Sequence, residues 1–374
     1  MLTLIHGGEV YTPEPIGVQS LLLAGSMILN VGPIERQALR SLHVPYTTID
    51  ASRCIVAPGL IDPHEHLIGA GGEEGFGSRM PEVSLHEIIS SGITTVVGCL
   101  GTDVTTRHLS SLLAKVRQLE VEGITAYLYT GGYSIPPQAL TTSVTNDITM
   151  IANVIGIGEL AISDPRCSEP TVHELARLVS QGITGGMIGG KAGVTHFHVG
   201  PGKKRLALLN QLLEQHETPA QYLYPTHINR SEALMDEAIQ LARRGAFVDI
   251  DTVDDDLHKW LGYYREHDGP LDQITISSDA HTAHGSPMKL YRSFVAQIRD
   301  HGWSLAEMLP LCTSNPAKVL QLKQKGSLQA GLDADVLIMR RDTLEVVHVF
   351  ARGRQMVKDG EMVAGSQTDD PATT

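Results

Sequence analysis

Eight short apolar segments alternate with amphipathic ones through the middle of the chain, and no other feature narrows the fold as far. The apolar segments fall at 55–57, 94–100, 126–129, 159–162, 194–199, 222–227, 246–251 and 274–279. Helical stretches separate most of them, clearest at 109–122 and 231–244, where apolar residues recur at three- and four-residue spacing. Eight strands in βα alternation predict an α/β fold, a (β/α)8 barrel of the TIM type. A doubly wound open sheet is the alternative, but no Gly-x-Gly-x-x-Gly follows the first strand to favour it. The two ends have a different texture. Short strands closed by glycine or proline are expected at 2–6, 9–13, 20–25 and 27–32, and again at 333–339 and 346–353. A hairpin turn is expected at Lys358-Asp359-Gly360-Glu361, and a frayed tail after Gly365.

A barrel of this kind carries its active site at the C-terminal ends of its strands. The first strand ends in Asp62-Pro63-His64-Glu65-His66, where His64 and His66 are two apart and so point the same way on an extended segment. Glu159 lies in the fourth strand, His198 in the fifth, His227 at the end of the sixth and Asp279 at the end of the eighth. Four histidines and two carboxylates converging from five strands suit a pair of divalent ions better than one tetrahedral zinc. Such a pair, sharing a hydroxide, hydrolyses amides, lactams or esters.

Composition agrees with imidazole and carboxylate ligands. The chain has 17 histidines but only 4 cysteines, and Cys54, Cys99, Cys167 and Cys312 lie far apart with no Cys-x-x-Cys. Neither a disulfide framework nor a thiolate zinc site is expected, and a reducing cytoplasm is. The net charge of −13 argues against nucleic acid or an anionic membrane as partner. No apolar run approaches the ~18–20 residues that span a bilayer, and the N-terminus lacks the pattern of a signal peptide. The glycine-rich stretch 185–191 imitates a phosphate loop, but Ala192 stands where such a loop needs Ser or Thr.

The segment Pro58-Gly59-Leu60-Ile61-Asp62-Pro63-His64-Glu65-His66 resembles the metal motif of the amidohydrolase superfamily, as do Ser278-Asp279-Ala280-His281, Asn315-Pro316-Ala317 and Gly331-Leu332-Asp333-Ala334-Asp335. Within it, the stretches 66–73, 98–103, 161–164, 189–195 and 225–230 resemble the isoaspartyl dipeptidases. The resemblance implies a barrel over 58–325 joined to a β-sandwich built from 1–57 and 326–374. It implies that two divalent ions, taken to be zinc, are held by His64, His66, Glu159, His198, His227 and Asp279. A bridging hydroxide would then cleave a small-molecule β-aspartyl dipeptide. Asp279 would be the general base that also protonates the leaving amine, and Tyr133 the donor to the developing oxyanion. Glu73, with Gly71 and Thr102 nearby, would hold the substrate ammonium. Arg166 and Arg230 would clamp carboxylate, and Ser286 would touch it as well. A homo-oligomer is implied too.

This sequence departs from the family at one ligand. Most members carry on the fourth strand a lysine that becomes carboxylated and bridges both metals; here Glu159 stands there, with one extra residue around 156–158. Glu159 is expected to bridge directly, and Lys191 to be structural. His196, two residues before His198, is left without a ligand role. The histidine-rich stretch 280–286 is expected to shape specificity on the leaving side; the run Asp254-Asp255-Asp256 reads first as a solvated loop, with a share in that specificity as the alternative. A cyclic amidase or N-acyl-amino-acid deacylase is the rival activity, and a metal-free scaffold is a third reading. Glu73 argues against the first rival, because a cyclic ureide has no free ammonium to pair with it, and the intact ligand positions argue against the second.

Overall fold

The computed structural model describes residues 2–41, 43–281 and 285–363. Strands from both ends of the chain share one nine-stranded mixed sheet. They are β1 (Leu2–Tyr11), β2 (Pro15–Ala24), β3 (Met27–Gly32), β4 (Tyr46–Asp50) and β5 (Cys54–Pro58) from the N-terminal part, with helix α1 (Arg36–Ser41) between β3 and β4. The C-terminal part supplies four more, after the eight strands described next. The expected break at Gly7-Gly8 is a register shift inside one continuous strand: β1 runs through it, pairing β4 before the glycines and β5 after them. Residues 55–57, expected as the first barrel strand, lie instead in β5 of this sheet, bonded to β1.

The barrel-type strands start three residues later. They are β6 (Leu60–Glu65), β7 (Ile93–Gly98), β8 (Thr125–Thr130), β9 (Val154–Ile162), β10 (Val194–Val199), β11 (Leu223–Thr226), β12 (Val248–Asp251) and β13 (Ile274–Ser277). Strands β6 to β11 form one parallel sheet in chain order, and β12 and β13 form a parallel pair. β12 lies beside β11, and β13 beside β6, where the Asp279 N–H donates to the His64 carbonyl at 3.1 Å. The remaining strands, β14 (Val336–Arg340), β15 (Val346–Ala351), β16 (Arg354–Lys358) and β17 (Glu361–Met362), complete the first sheet, with β14 antiparallel to β5. Lys358 pairs with Glu361 across the expected hairpin turn. The expected tail beyond Gly365 lies outside the described residues.

Helices follow each parallel strand: α2 (Leu85–Ser90), α3 (Leu109–Glu122), α4 (Val144–Met150), α5 (Val172–Gly189), α6 (Ala207–Gln215), α7 (Glu232–Arg243), α8 (Leu257–Glu266) and α9 (Pro287–Asp300), then α10 (Leu305–Cys312) and α11 (Ser314–Val319). Every residue of β6, β7 and β9 to β13 is buried, as expected of parallel strands covered on both faces. Local sequence fixes the helix starts. Ser84 with Glu87, Thr171 with Glu174 and Ser304 with Glu307 form reciprocal capping boxes at α2, α5 and α10. The glycine-rich stretch that imitates a phosphate loop has a packing role. A side chain at Gly186 would stand 2.7 Å from the Gly193 backbone, so glycine lets α5 press against the chain leading into β10.

One buried ion cluster ties the first sheet to the parallel strands. Lys325 is buried, and its Nζ donates to Thr125 at the start of β8 (2.7 Å) and pairs with Asp335 and with Asp333 (2.8 Å) just before β14. Burial alone would lower its pKa, but the two aspartates outweigh that and raise it, so the ammonium stays charged. Removing one partner of a buried pair costs more than the pair contributes. Lys325→Met is therefore expected to lower unfolding stability by about 3–5 kcal/mol, read by denaturant titration. A loss under about 1 kcal/mol, the scale of an exposed pair, would show that the cluster is not a tie between the sheets.

Candidate active site

The end of β6 turns two imidazoles inward. His64 is fully buried and His66 nearly so, and both approach two carboxylates. The Nε2 of His64 is 3.3 Å from Glu159 Oε2 and 3.5 Å from Asp279 Oδ1. The Nε2 of His66 is 3.2 Å from Asp279 Oδ1 and 3.7 Å from Glu159 Oε2. A second pair of imidazoles meets the other oxygen of the same glutamate. His198 Nδ1 is 2.8 Å from Glu159 Oε1, and His227 Nε2 is 3.2 Å from it. Each carboxylate oxygen of Glu159 thus faces its own pair of histidines.

The backbone around Glu159 explains its aim. β9 pairs with β10 through Ile157 opposite Thr195, then resumes at Leu160 opposite Phe197, so two residues of β9 stand opposite one of β10. The extra residue expected from the sequence is this bulge, which bends the strand and redirects the side chain. Gly158 makes it possible, because a side chain there would lie 2.8 Å from the His196 Cβ. His227 and Asp279 follow their strands with left-handed backbones, φ 62° and 42°. Strained conformations of this kind concentrate at functional sites.

Several residues without a role in the sequence reading hold the ligands in place. Asp251, the last residue of β12, takes the His227 Nδ1 at 2.8 Å, which leaves Nε2 free to face Glu159. Asp164 approaches the other nitrogen of His198 at 3.1 Å and is itself gripped by Arg166, whose Nε and Nη2 donate to its two oxygens at 2.8 Å each. Burial opposes ionisation of Asp164, but those hydrogen bonds from Arg166 prevail and keep its pKa well below the usual range. Buried Cys99 also reaches the cluster, with its Sγ 3.7 Å from His66 Nδ1 and 3.9 Å from Glu159 Oε2. Cysteine is not among the ligand types expected from the sequence, and this one stands within the cluster. A lone cysteine has no spacing signature, and only the adjacency of β7 to β6 and its place in the fold reveal it.

The donor set fits divalent ions. The His64 nitrogens and Asp279 Oδ1 are buried without hydrogen-bond partners, although donor-type and acceptor-type atoms crowd around them. Nitrogen and carboxylate oxygen atoms face one another at 3.2–3.7 Å. Two ligand atoms on one zinc ion are about 3.3–3.5 Å apart, given metal–ligand bonds of about 2.0–2.2 Å. Burial disfavours charge on His64 and His66, yet nearby Cys99 and Asp279, joined at His64 by Glu159, raise both well above the usual histidine range. His227 is pushed up to about 9 in the same way by Asp251 and Glu159, against its burial.

The cavity over this cluster is lined by His66, His198 and Asp279 on its floor. Gly71, Glu73, Thr102, Tyr133, Arg166 and Arg230 line its walls. The Tyr133 hydroxyl is 2.7 Å from His198 Nδ1, and burial foremost, with Glu159 next, raises its pKa well above 10, so it stays a proton donor. Glu73 and Arg166 form an ion pair with each other at 2.6 Å. Arg107 fastens the loop that carries Gly71 and Glu73, donating to the carbonyls of Ile68, Ala70 and Met80. His281 folds back onto Asp279, with its Nδ1 3.0 Å from Oδ1.

Other sequence candidates fall elsewhere. Ser286 caps α9 through the Lys289 N–H and lines a different cavity, with Asp255 and Lys289. Asp254 and Asp256 line a neighbouring cleft that His227, Arg230 and Asp279 also border. Lys191 donates to the carbonyls of Ile148 and Ile151 at the end of α4 and of Val154 at the start of β9, which is a structural role. His196 bonds the Tyr224 carbonyl at 2.9 Å, stacks on Tyr129, and is kept neutral chiefly by burial. His284 lies outside the described residues.

Comparison with known proteins agrees with this geometry. A model of the amidohydrolase family matches residues 264–363. An imidazolonepropionase of Serratia proteamaculans (strain 568) is 35% identical over 145 residues, which is 37% of this chain and 35% of that protein. Fold and site are those of an amidohydrolase-class metal hydrolase. A crystal structure of the beta-aspartyl dipeptidase of the thermophilic keratin degrader Fervidobacterium islandicum AW-1 superposes with a TM-score of 0.93 at 39% identity, covering 97% of this chain and 99% of that one. The same enzyme in complex with the beta-Asp-Leu dipeptide gives 0.92 and 38%, covering 97% and 98%. The chain belongs to the beta-aspartyl dipeptidase family.

The raised pKa of His64, His66 and His227 favours a proton on each, and a proton held there must leave as a divalent ion enters. A raised pKa means the proton is held below about 9 at His227, so ion affinity should rise as pH climbs from 6 to 9. Calorimetric titration of chelator-stripped protein, in buffers of different ionisation enthalpy, should read proton release on uptake. Uptake without proton release and with pH-independent affinity would contradict this account of the cluster.

Proposed function

We propose that the protein hydrolyses β-aspartyl dipeptides at a binuclear metal centre in which Glu159 bridges the two positions. The observation that carries this is the division of the Glu159 oxygens, Oε2 toward His64 and His66, Oε1 toward His198 and His227. The full reading comprises two zinc ions, eight parallel strands closed into a (β/α)8 barrel over 58–325, a β-sandwich from 1–57 and 326–374, and a homo-oligomer in the cytoplasm. No described helix is long and apolar enough to cross a membrane.

The divalent ions, when bound, supply Lewis acidity toward the amide carbonyl and acidify the attacking water. The chain does the rest. Asp279, beside His66 and open to the cavity, takes the proton from the attacking water and delivers it to the departing amine. Tyr133, protonated and buried beside His198, donates to the oxygen on which charge develops. The substrate is a zwitterion, and the Glu73–Arg166 pair offers one partner for each sign: Glu73 for the ammonium, with Thr102 and Gly71 beside it, and Arg166 with Arg230 for carboxylate. The arriving charges replace that pair instead of adding to it.

The test is a substrate panel on metal-replete protein, comparing β-Asp-Leu, α-Asp-Leu, N-acyl amino acids and cyclic ureides. Turnover confined to the β-aspartyl dipeptide is expected; turnover of the acyl or cyclic substrates with β-Asp-Leu untouched would overturn the reading. In the same assay Asp279→Asn should lose at least ~10²-fold in kcat with folding preserved. Near wild-type activity there would remove Asp279 from the proton transfers.

A further inference from the structure

Cys99 follows directly on β7, at the same end of the parallel strands as the histidines. Its position is fixed by the backbone, because the Cys99 N–H donates to the Glu65 carbonyl at 3.1 Å, and its side chain is buried. Its Sγ stands 3.7 and 3.9 Å from the two nitrogens of His66 and 3.9 Å from Glu159 Oε2. One donor atom each from His64, His66, Cys99 and Glu159 lies within 4.8 Å of the others. Both nitrogens of buried His64 have no hydrogen-bond partner, so an unpartnered ligand points into the same space.

We propose that the Cys99 thiolate is a direct ligand of the ion held by His64, His66 and Glu159, so that the two metal positions differ chemically. The inference rests on the binuclear reading above. Zinc–nitrogen bonds of about 2.0 Å and zinc–sulfur bonds of about 2.3 Å put neighbouring ligand atoms about 3.3–3.6 Å apart. The separations seen, 3.3 Å for His64 to Glu159 and 3.7–3.9 Å for the sulfur, close to those values with shifts of a few tenths of an ångström. The thiol proton leaves to solvent as the ion enters.

Two consequences follow. A soft sulfur ligand selects zinc or cobalt over magnesium or manganese at this position. Thiolate and carboxylate together also cancel the charge of a divalent ion, so this ion is held firmly and is the weaker Lewis acid. The electrophilic role then falls to the position between His198 and His227. That division suits the geometry, because His198 lines the substrate cavity beside Tyr133 and Arg166, whereas Cys99 and His64 are sealed beneath it.

Cobalt(II) substitution tests the ligand without reference to activity. Wild-type protein loaded with cobalt should show the near-ultraviolet sulfur-to-cobalt charge-transfer band along with visible ligand-field bands. Cys99→Ser and Cys99→Ala should keep the visible bands, lose the near-ultraviolet one, and bind one ion at least about 10-fold more weakly, the smaller loss seen even for residues that merely orient ligands. Cys167→Ala should retain the band. X-ray absorption of the zinc-loaded wild type gives the same answer if the variants fold poorly, as a sulfur shell at about 2.3 Å. Visible bands with no charge transfer in the wild type, persistence of the band in both Cys99 variants, or a zinc shell of nitrogen and oxygen alone would overturn the role of Cys99 and leave the histidine–carboxylate centre standing. Failure of the wild type to take up any ion would overturn both.

Discussion

Six ionisable side chains buried at one end of the parallel strands would repel or desolvate one another into instability without a group that reconciles them, and Glu159 is that group. Its carboxylate is wholly buried, and burial alone would neutralise it, yet the imidazoles of His64, His198 and His227 around it keep its pKa well below the usual carboxylate range. One oxygen serves each histidine pair. A buried charge is tolerable only when opposite charge and hydrogen bonds surround it, so the rest of the site is organised as support for this arrangement. Asp251 turns His227, Asp164 and Tyr133 turn His198, and Asp279 closes the side facing His64 and His66.

The scaffold supplies position more than chemistry. Parallel strands buried on both faces give little freedom to residues at their ends, and a bulge at Gly158-Glu159 places the glutamate where the regular pleat would not. A carboxylated lysine, the usual family bridge, has a longer side chain. A bulged backbone carrying the shorter glutamate reaches the same space between the histidine pairs. The loop carrying Glu73 is less constrained by strands, and its place depends on the Arg107 guanidinium and on the pairing of Arg79 and Arg107 with Asp103. The cavity wall at Glu73 thus rests on a fastened loop, and the histidine–carboxylate cluster rests on strands.

Much of this is legible in the sequence because it follows local rules. Strand–helix alternation shows in the spacing of apolar residues, and His64-x-His66 shows in its two-residue period. The first parallel strand is misplaced by a few residues because Ile55–Ala57 and Leu60-Ile61 are both apolar and separated only by Pro58-Gly59, and periodicity cannot say which sheet a short apolar run joins. What the sequence hides is contact across strands. Cys99, Asp251 and Arg107 each become meaningful only through neighbours far away in the chain. Ser286 shows the converse: a serine followed by proline is also a helix start, and the structure uses it as the cap of α9. The net charge of −13 bears on none of this, since the cavity is lined by a few placed charges, Glu73, Arg166 and Arg230 among them.

The bridging role of Glu159 is tested most directly by a crystal structure of the metal-loaded protein with anomalous scattering collected at the metal edge. If the carboxylate bridges, two ions about 3.5–4 Å apart will flank Glu159, one bound to each of its oxygens, with His64 and His66 on one ion and His198 and His227 on the other. A single ion, or two ions with Glu159 turned away and Lys191 or a solvent molecule alone between them, would contradict it.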